Sequence, residues 1–155
     1  MKLPQPSSKK PVPSATYKVR LISYEHGHSK NKGTPQITWK AEILEGEFAG
    51  QNLWERTIMT ESSLWKTSNL LGACSLDVPK GVDTDSPLFT ALCQAAMGRK
   101  SYWQVLEKTL DTGKVVNEIK DYAVDEDQEL LEVAMDSNAP DWIEKEVDGV
   151  TESSE

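Results

Sequence analysis

With 155 residues, 37% hydrophobic and 27% charged, the chain has enough material for one domain with a core and too little for two large ones. No stretch approaches the roughly 20 apolar residues of a membrane-spanning helix, no apolar run follows Lys2, Lys9 and Lys10 as a secretory signal requires, and Cys74 and Cys93 lack the number and spacing of a disulfide scaffold or a zinc site, so a cytoplasmic, reducing setting is expected. The formal charge of −8 argues against a nucleic-acid partner only if it is evenly spread.

Pro4, Pro6, Pro11 and Pro13 stand among Ser and Lys in residues 1–14. Proline removes backbone donors and disfavours helix, so a disordered arm is expected there, with structure beginning near Ala15. Residues 15–24 alternate: Tyr17, Val19 and Leu21 on one face, Lys18, Arg20, Ile22 and Tyr24 on the other, a half-buried strand. A polar loop, Glu25 to Gly33, carries His26, His28, Lys30 and Lys32. From Gln36 to Leu44 the residues Ile37, Trp39, Ala41 and Ile43 share a face opposite Thr38, Lys40 and Glu42, so the first two strands form a hairpin. After the turn Gly46 to Gly50, a third strand runs from Gln51 to about Met59, with Leu53, Thr57 and Met59 on one side and Trp54, Arg56 and Ile58 on the other.

Thr60 and Glu61 suit a helix start, Leu64, Trp65, Leu70 and Leu71 supply its apolar stripe, with Trp65 expected in the core, and Gly72 suits its end. Ser86 and Pro87 read as N-cap and first turn of a second helix that presents Leu88, Ala91, Leu92, Ala95 and Ala96 and stops at Gly98. Two further strands, Arg99–Leu110 and Val115 to about Tyr122, flank the turn Asp111-Thr112-Gly113-Lys114. A short helix around residues 127–135 is compatible with the acidic remainder. Three strands, a helical insert and two strands predict a mainly β, α+β chain. The expected fold is an OB-fold-like five-stranded antiparallel barrel with its helices between strands 3 and 4, and an open sheet backed by two helices is the alternative. The predicted organisation is thus an arm at 1–14, a nucleic-acid-binding domain at 15–124 and an acidic, largely disordered tail at 125–155.

Charge divides along the same lines. Residues 1–120 hold 16 Lys and Arg against 12 Asp and Glu; residues 121–155 hold one Lys against 13 Asp and Glu. A basic body with an acidic tail marks interaction tails and nucleic-acid proteins.

Catalytic signatures are lacking: no phosphate loop, no nucleophile elbow, and only His26 and His28 as histidines, without an identifiable third metal ligand. No enzyme activity, cofactor or metal is expected. Single-stranded nucleic acid needs a cationic groove and aromatic faces on which bases stack. Arg20, Lys30, Lys32, Lys40, Arg56, Arg99 and Lys100 are the candidate phosphate contacts, and Tyr24, Trp54 and Tyr102 the candidate stacking residues. Trp39 and Tyr17 fall in phase with core positions, and of the adjacent pair Tyr102 and Trp103 only one can face outward, Tyr102 being in phase with Lys100. In the tail, Asp141-Trp142-Ile143-Glu144 sets two apolar anchors in acid, the composition of a partner-docking motif.

Several segments carry a resemblance: Ser14 to Leu21, the loop Ser29-Lys30-Asn31-Lys32-Gly33-Thr34-Pro35, the run Thr38 to Trp54 with its Leu44-Glu45-Gly46-Glu47-Phe48-Ala49-Gly50 turn, Leu64-Trp65-Lys66, and the strand pair from Gly98 to Tyr122. Across about residues 14–124 the chain resembles a family of small bacteriophage single-stranded DNA-binding proteins encoded near replication and recombination genes. The resemblance implies an OB-like fold, a non-enzymatic role and a basic aromatic groove, and the general plan of such proteins adds an acidic C-terminal tail that docks phage or host replication and recombination proteins. The expected role is to protect single-stranded DNA, in the host cytoplasm if the chain is phage-encoded, and the charge of the tail adds the expectation that it inhibits binding by competing with DNA for the groove. Tails of that general plan end in a terminal aromatic residue, whereas this chain ends Thr151-Glu152-Ser153-Ser154-Glu155 and holds Trp142 internally. The alternative expectation is a protein-interaction module, a replication or recombination accessory or a DNA mimic, acting through the tail. Neither reading involves a membrane, and either admits an oligomer through exposed strand edges.

Overall fold

Alternating residues build three successive strands in the computed structural model, which describes residues 11–133: β1 (Ala15–His28), β2 (Pro35–Ile43) and β3 (Asn52–Ile58). The β1–β2 turn closes through Ser29 N–H to Thr34 C=O at 2.8 Å and Gly33 N–H to Ser29 C=O at 3.0 Å. Gly33 has φ +64°, a conformation glycine adopts without a Cβ clash. A single 3-10 turn (Glu61–Ser63) then leads into α1 (Leu64–Ala73), β4 (Leu76–Asp77), α2 (Pro87–Ala96), β5 (Lys100–Thr109), β6 (Val115–Val124) and β7 (Leu131–Glu132).

The second helix starts as expected. Ser86 is extended, its Oγ accepts the Phe89 N–H at 3.3 Å, and Pro87 follows. The first helix departs at both ends. Thr60 precedes the 3-10 turn without a side-chain cap, and Gly72 lies inside α1. The chain instead reverses at Ser75, whose φ of +63° is the one positive value outside glycine among the described residues.

Five strands form one antiparallel sheet in the order β3-β2-β1-β5-β6. The expected barrel does not close, because β3 and β6 share no backbone pairing. Side chains occupy the seam where the fifth pairing would lie. The Tyr122 hydroxyl of β6 donates to the Glu55 carboxylate of β3. The Asn117 amide of β6 accepts from Val12 N–H at 2.8 Å and donates to Val12 C=O at 2.9 Å. Val12 is fully buried, so residues 11–14 pack on the body although they fall in the expected arm. α1 covers the same end, packing against both β3 and β6.

The core joins Val19, Leu21, Ile37, Trp39, Ala41, Ile43, Leu53, Trp103, Val105 and Ile119 of the sheet to Leu70, Leu71, Phe89, Leu92 and Cys93 of the helices. Trp39 is buried with its Nε1–H satisfied by Thr57 Oγ1 at 2.9 Å, across the β2–β3 ladder. Burying each such large side chain contributes roughly 1.5–3 kcal/mol. Cys74 and Cys93 are free and buried, and burial pushes both thiols up to about 12.

Packing also continues past residue 124, and no helix forms over 127–133. Asp125 is buried, residues 125–128 turn, and β7 pairs in parallel with β4. Of the described residues, 13 are Lys or Arg and 18 are Asp or Glu, so this body is net acidic once 121–133 are counted with it. The docking motif Asp141-Trp142-Ile143-Glu144 lies outside the described residues. No helix among the described residues is long and apolar enough to cross a membrane.

Candidate nucleic-acid interface

Strand register sets the outer face of the sheet, the face turned from the core. Arg20 of β1 pairs with Glu42 of β2 and Lys100 of β5; Lys18 pairs with Tyr102; Lys40 pairs with Trp54; Thr38 pairs with Arg56. Because side chains alternate along each strand, these partners project to one side, while Val19, Leu21, Trp39, Ala41, Leu53 and Trp103 project to the other and are buried. Arg20, Lys40, Trp54, Arg56, Lys100 and Tyr102 therefore come together on one surface.

Two cation–aromatic pairs lie within it. Lys40 Nζ stands over the Trp54 ring at 5.7 Å, and Lys18 Nζ over the Tyr102 ring at 6.0 Å. Both residues are half-buried. Lys18 is also paired with Asp125 at 3.6 Å. The face is not uniformly basic, since Glu42 shares it with Arg20. Lys30 and Lys32 are exposed at the tip of the β1–β2 hairpin, away from the strand rows.

Three expected placements are corrected. Tyr24 is not on the outer face. The β1–β2 register slips by one residue between Leu21 and Ser23, so Tyr24 lies opposite Trp39 and packs on it, ring centroids 5.6 Å apart. A bulge residue reverses the phase of everything beyond it. Burial accordingly raises the Tyr24 hydroxyl above its usual range.

Arg99 is not presented to a ligand. Its Nε donates to Cys74 C=O at 3.0 Å, and its Nη2 to Ser75 C=O at 3.2 Å and to Glu129 C=O. The guanidinium straps the α1–β4 turn to the segment before β7.

Trp65 is not in the core. It is 63% exposed on α1, whose buried residues are Thr67, Leu70, Leu71 and Ala73. Ten residues of amphipathic helix bury one stripe, and Trp65 falls off it.

Sequence reasoning passed over Lys66 and Lys108. Both line a cleft of about 380 Å³ at the β3–β6 seam, together with Trp54, Arg56 and Glu118. Lys66 pairs with the buried Glu55 at 3.3 Å. Only the closeness of β3 to β6 reveals this grouping, and no local pattern encodes it. His26 packs edge-on against Tyr24 and, with His28, lines a separate cavity of about 400 Å³ beside the start of α2. Among the described residues no three His, Cys, Asp or Glu side chains gather as a metal site.

No curated protein matches the chain. Residues 3–132 match a family described as "Protein of unknown function (DUF669)". That span takes in the whole sheet, both helices and β7 up to its last residue, and the chain belongs to this family.

Proposed function

We propose that the chain binds single-stranded nucleic acid, single-stranded DNA above all, without sequence preference, across the outer face of the sheet. The observation that carries the reading is the in-register pairing of Lys40 with Trp54 and Lys18 with Tyr102, beside Arg20, Arg56 and Lys100. Aromatic faces next to cations are what a base and its phosphate require, each stack being worth roughly 1–3 kcal/mol. The strand order supports it: three strands in meander, helices after the third, and a final hairpin added beside the first follow the OB-fold plan with one seam open. On this reading the protein protects exposed strands in replication or recombination of phage type, and its acidic C-terminal residues restrain binding or dock partner proteins. Titrating full-length protein with oligo-dT while following tryptophan fluorescence tests it. Saturable quenching at low salt, reversed at high salt and strongly reduced in Trp54→Ala, is expected. No change at either salt overturns it.

The second reading is an interaction module acting through its acid, as a replication or recombination accessory or a DNA mimic. The excess of acids over bases within residues 11–133 favours it. It predicts partner capture without any affinity for oligo-dT.

A further inference from the structure

The β3 edge carries no backbone pairing, and beside it the seam opens as the cleft lined by Trp54, Arg56, Lys66 and Lys108, with Glu55 and Glu118 as its acids. Trp54 belongs to both surfaces, so the sheet face runs into the cleft without a break. Lys66 enters the cleft from α1, and the residue before it is Trp65. Neighbouring residues on a helix project about 100° apart. With Lys66 turned to the seam, Trp65 stands on the adjoining flank, 63% exposed. The helix already has its packing face in Leu70, Leu71 and Ala73.

We infer that a single strand bound on the sheet crosses the seam, its phosphates taken by Arg56, Lys66 and Lys108, and that Trp65 stacks a base beyond it. This rests on the proposed function and extends its site to residues on α1 and β5. Glu55 does not hold Lys66 alone. Its carboxylate also accepts from the Tyr122 hydroxyl and, at 2.9 Å, from the Arg56 N–H, so it stays hydrogen-bonded when Lys66 turns to a phosphate. A nucleic acid suits the surroundings better than a protein anchor. Protein interfaces concentrate apolar residues and exclude charge at their centres, whereas here three cations, Arg56, Lys66 and Lys108, line the cleft beside Trp54.

The test uses full-length protein and oligo-dT of increasing length, comparing wild type with Trp65→Ala, Trp65→Phe and Trp54→Ala. Trp54→Ala is expected to weaken binding at every length. Trp65→Ala is expected to match wild type on short oligonucleotides and to lose about tenfold in affinity on long ones, with Trp65→Phe retaining most of it. In wild type, an iodouracil at the end of a long oligonucleotide is expected to photocrosslink to Trp65. Equal length dependence of wild type and Trp65→Ala, with no crosslink, overturns the inference while leaving sheet binding intact, and assigns Trp65 to a protein partner instead. Absence of binding by wild type at any length overturns the proposed function and this extension together.

Discussion

Glu55 is the residue on which the open seam turns. It projects from β3 to the core side, 7% exposed, and receives the Tyr122 hydroxyl, the Arg56 N–H and the Lys66 ammonium. Burial raises its carboxyl above the ordinary 4.5, outweighing the lowering by Tyr122 and Lys66. Burial, reinforced by the Glu55 charge and hydrogen bond, also drives the Tyr122 hydroxyl upward, so it remains a donor to the carboxylate. The stability consequence has a definite sign. Above pH 4.5 the unfolded chain has lost this proton while the folded chain still holds it. The contribution is therefore complete below 4.5 and is lost as pH rises through the raised folded value. Melting temperature should fall with pH over that window, and Glu55→Gln, which keeps an acceptor for Tyr122 without the charge, should flatten the fall. An unchanged slope in Glu55→Gln would place the pH dependence elsewhere.

At the scale of elements, the segment after β6 is held by side chains standing in for a strand. Gln128 Oε1 accepts the Lys100 N–H at 2.9 Å, and its Nε2 donates to Lys100 C=O at 2.7 Å and to Cys74 C=O and Ser75 Oγ, both at 3.2 Å. Arg99 ties the same Cys74 carbonyl, and the Ser75 carbonyl beside it, to Glu129. Gln128→Ala leaves the Lys100 N–H and C=O at the start of β5 without their side-chain partner and the α1–β4 turn to Arg99 alone, and half-buried groups left unpaired cost about 1–3 kcal/mol. A loss of about 2 kcal/mol, or roughly 4–8 °C in melting temperature, is expected in thermal unfolding. These contacts also show what the sequence could not disclose. Strand phase was legible wherever alternation ran unbroken: Trp39, Trp54, Tyr102 and Trp103 all face as their spacing predicts. It failed at Tyr24, because one bulged residue has no local signature. It failed at Arg99, because three carbonyls distant in sequence claim the guanidinium, and at Trp65, because a short helix buries a narrow stripe. The open seam was equally hidden, since closure depends on side chains such as Asn117 and Tyr122 meeting across the sheet.

Charge decides how the whole molecule would meet a polyanion. A body with 18 acids against 13 bases attracts DNA only through a local surface. On the sheet face, Arg20, Lys40, Arg56 and Lys100 are cations without a carboxylate partner among the described residues, whereas Lys18 has Asp125. Four phosphate contacts give a slope of about −3 in log affinity against log salt, at roughly −0.7 for each. Residues 134–155 add seven acids and one Lys to the chain, and on the proposed reading such a segment would compete with DNA for the same cations. Truncation should be made after Val133. A cut at residue 124 would also remove Gln128 and the Glu129 carbonyl, and any change would then mix lost folding with lost competition. Ending the chain at Val133 should tighten oligo-dT binding at low salt and leave the melting temperature unchanged. The gain should shrink as salt rises, because added ions screen the competing acid and the DNA alike. Equal affinity of the two forms at every salt concentration would remove the tail from control of binding and leave it to partner proteins.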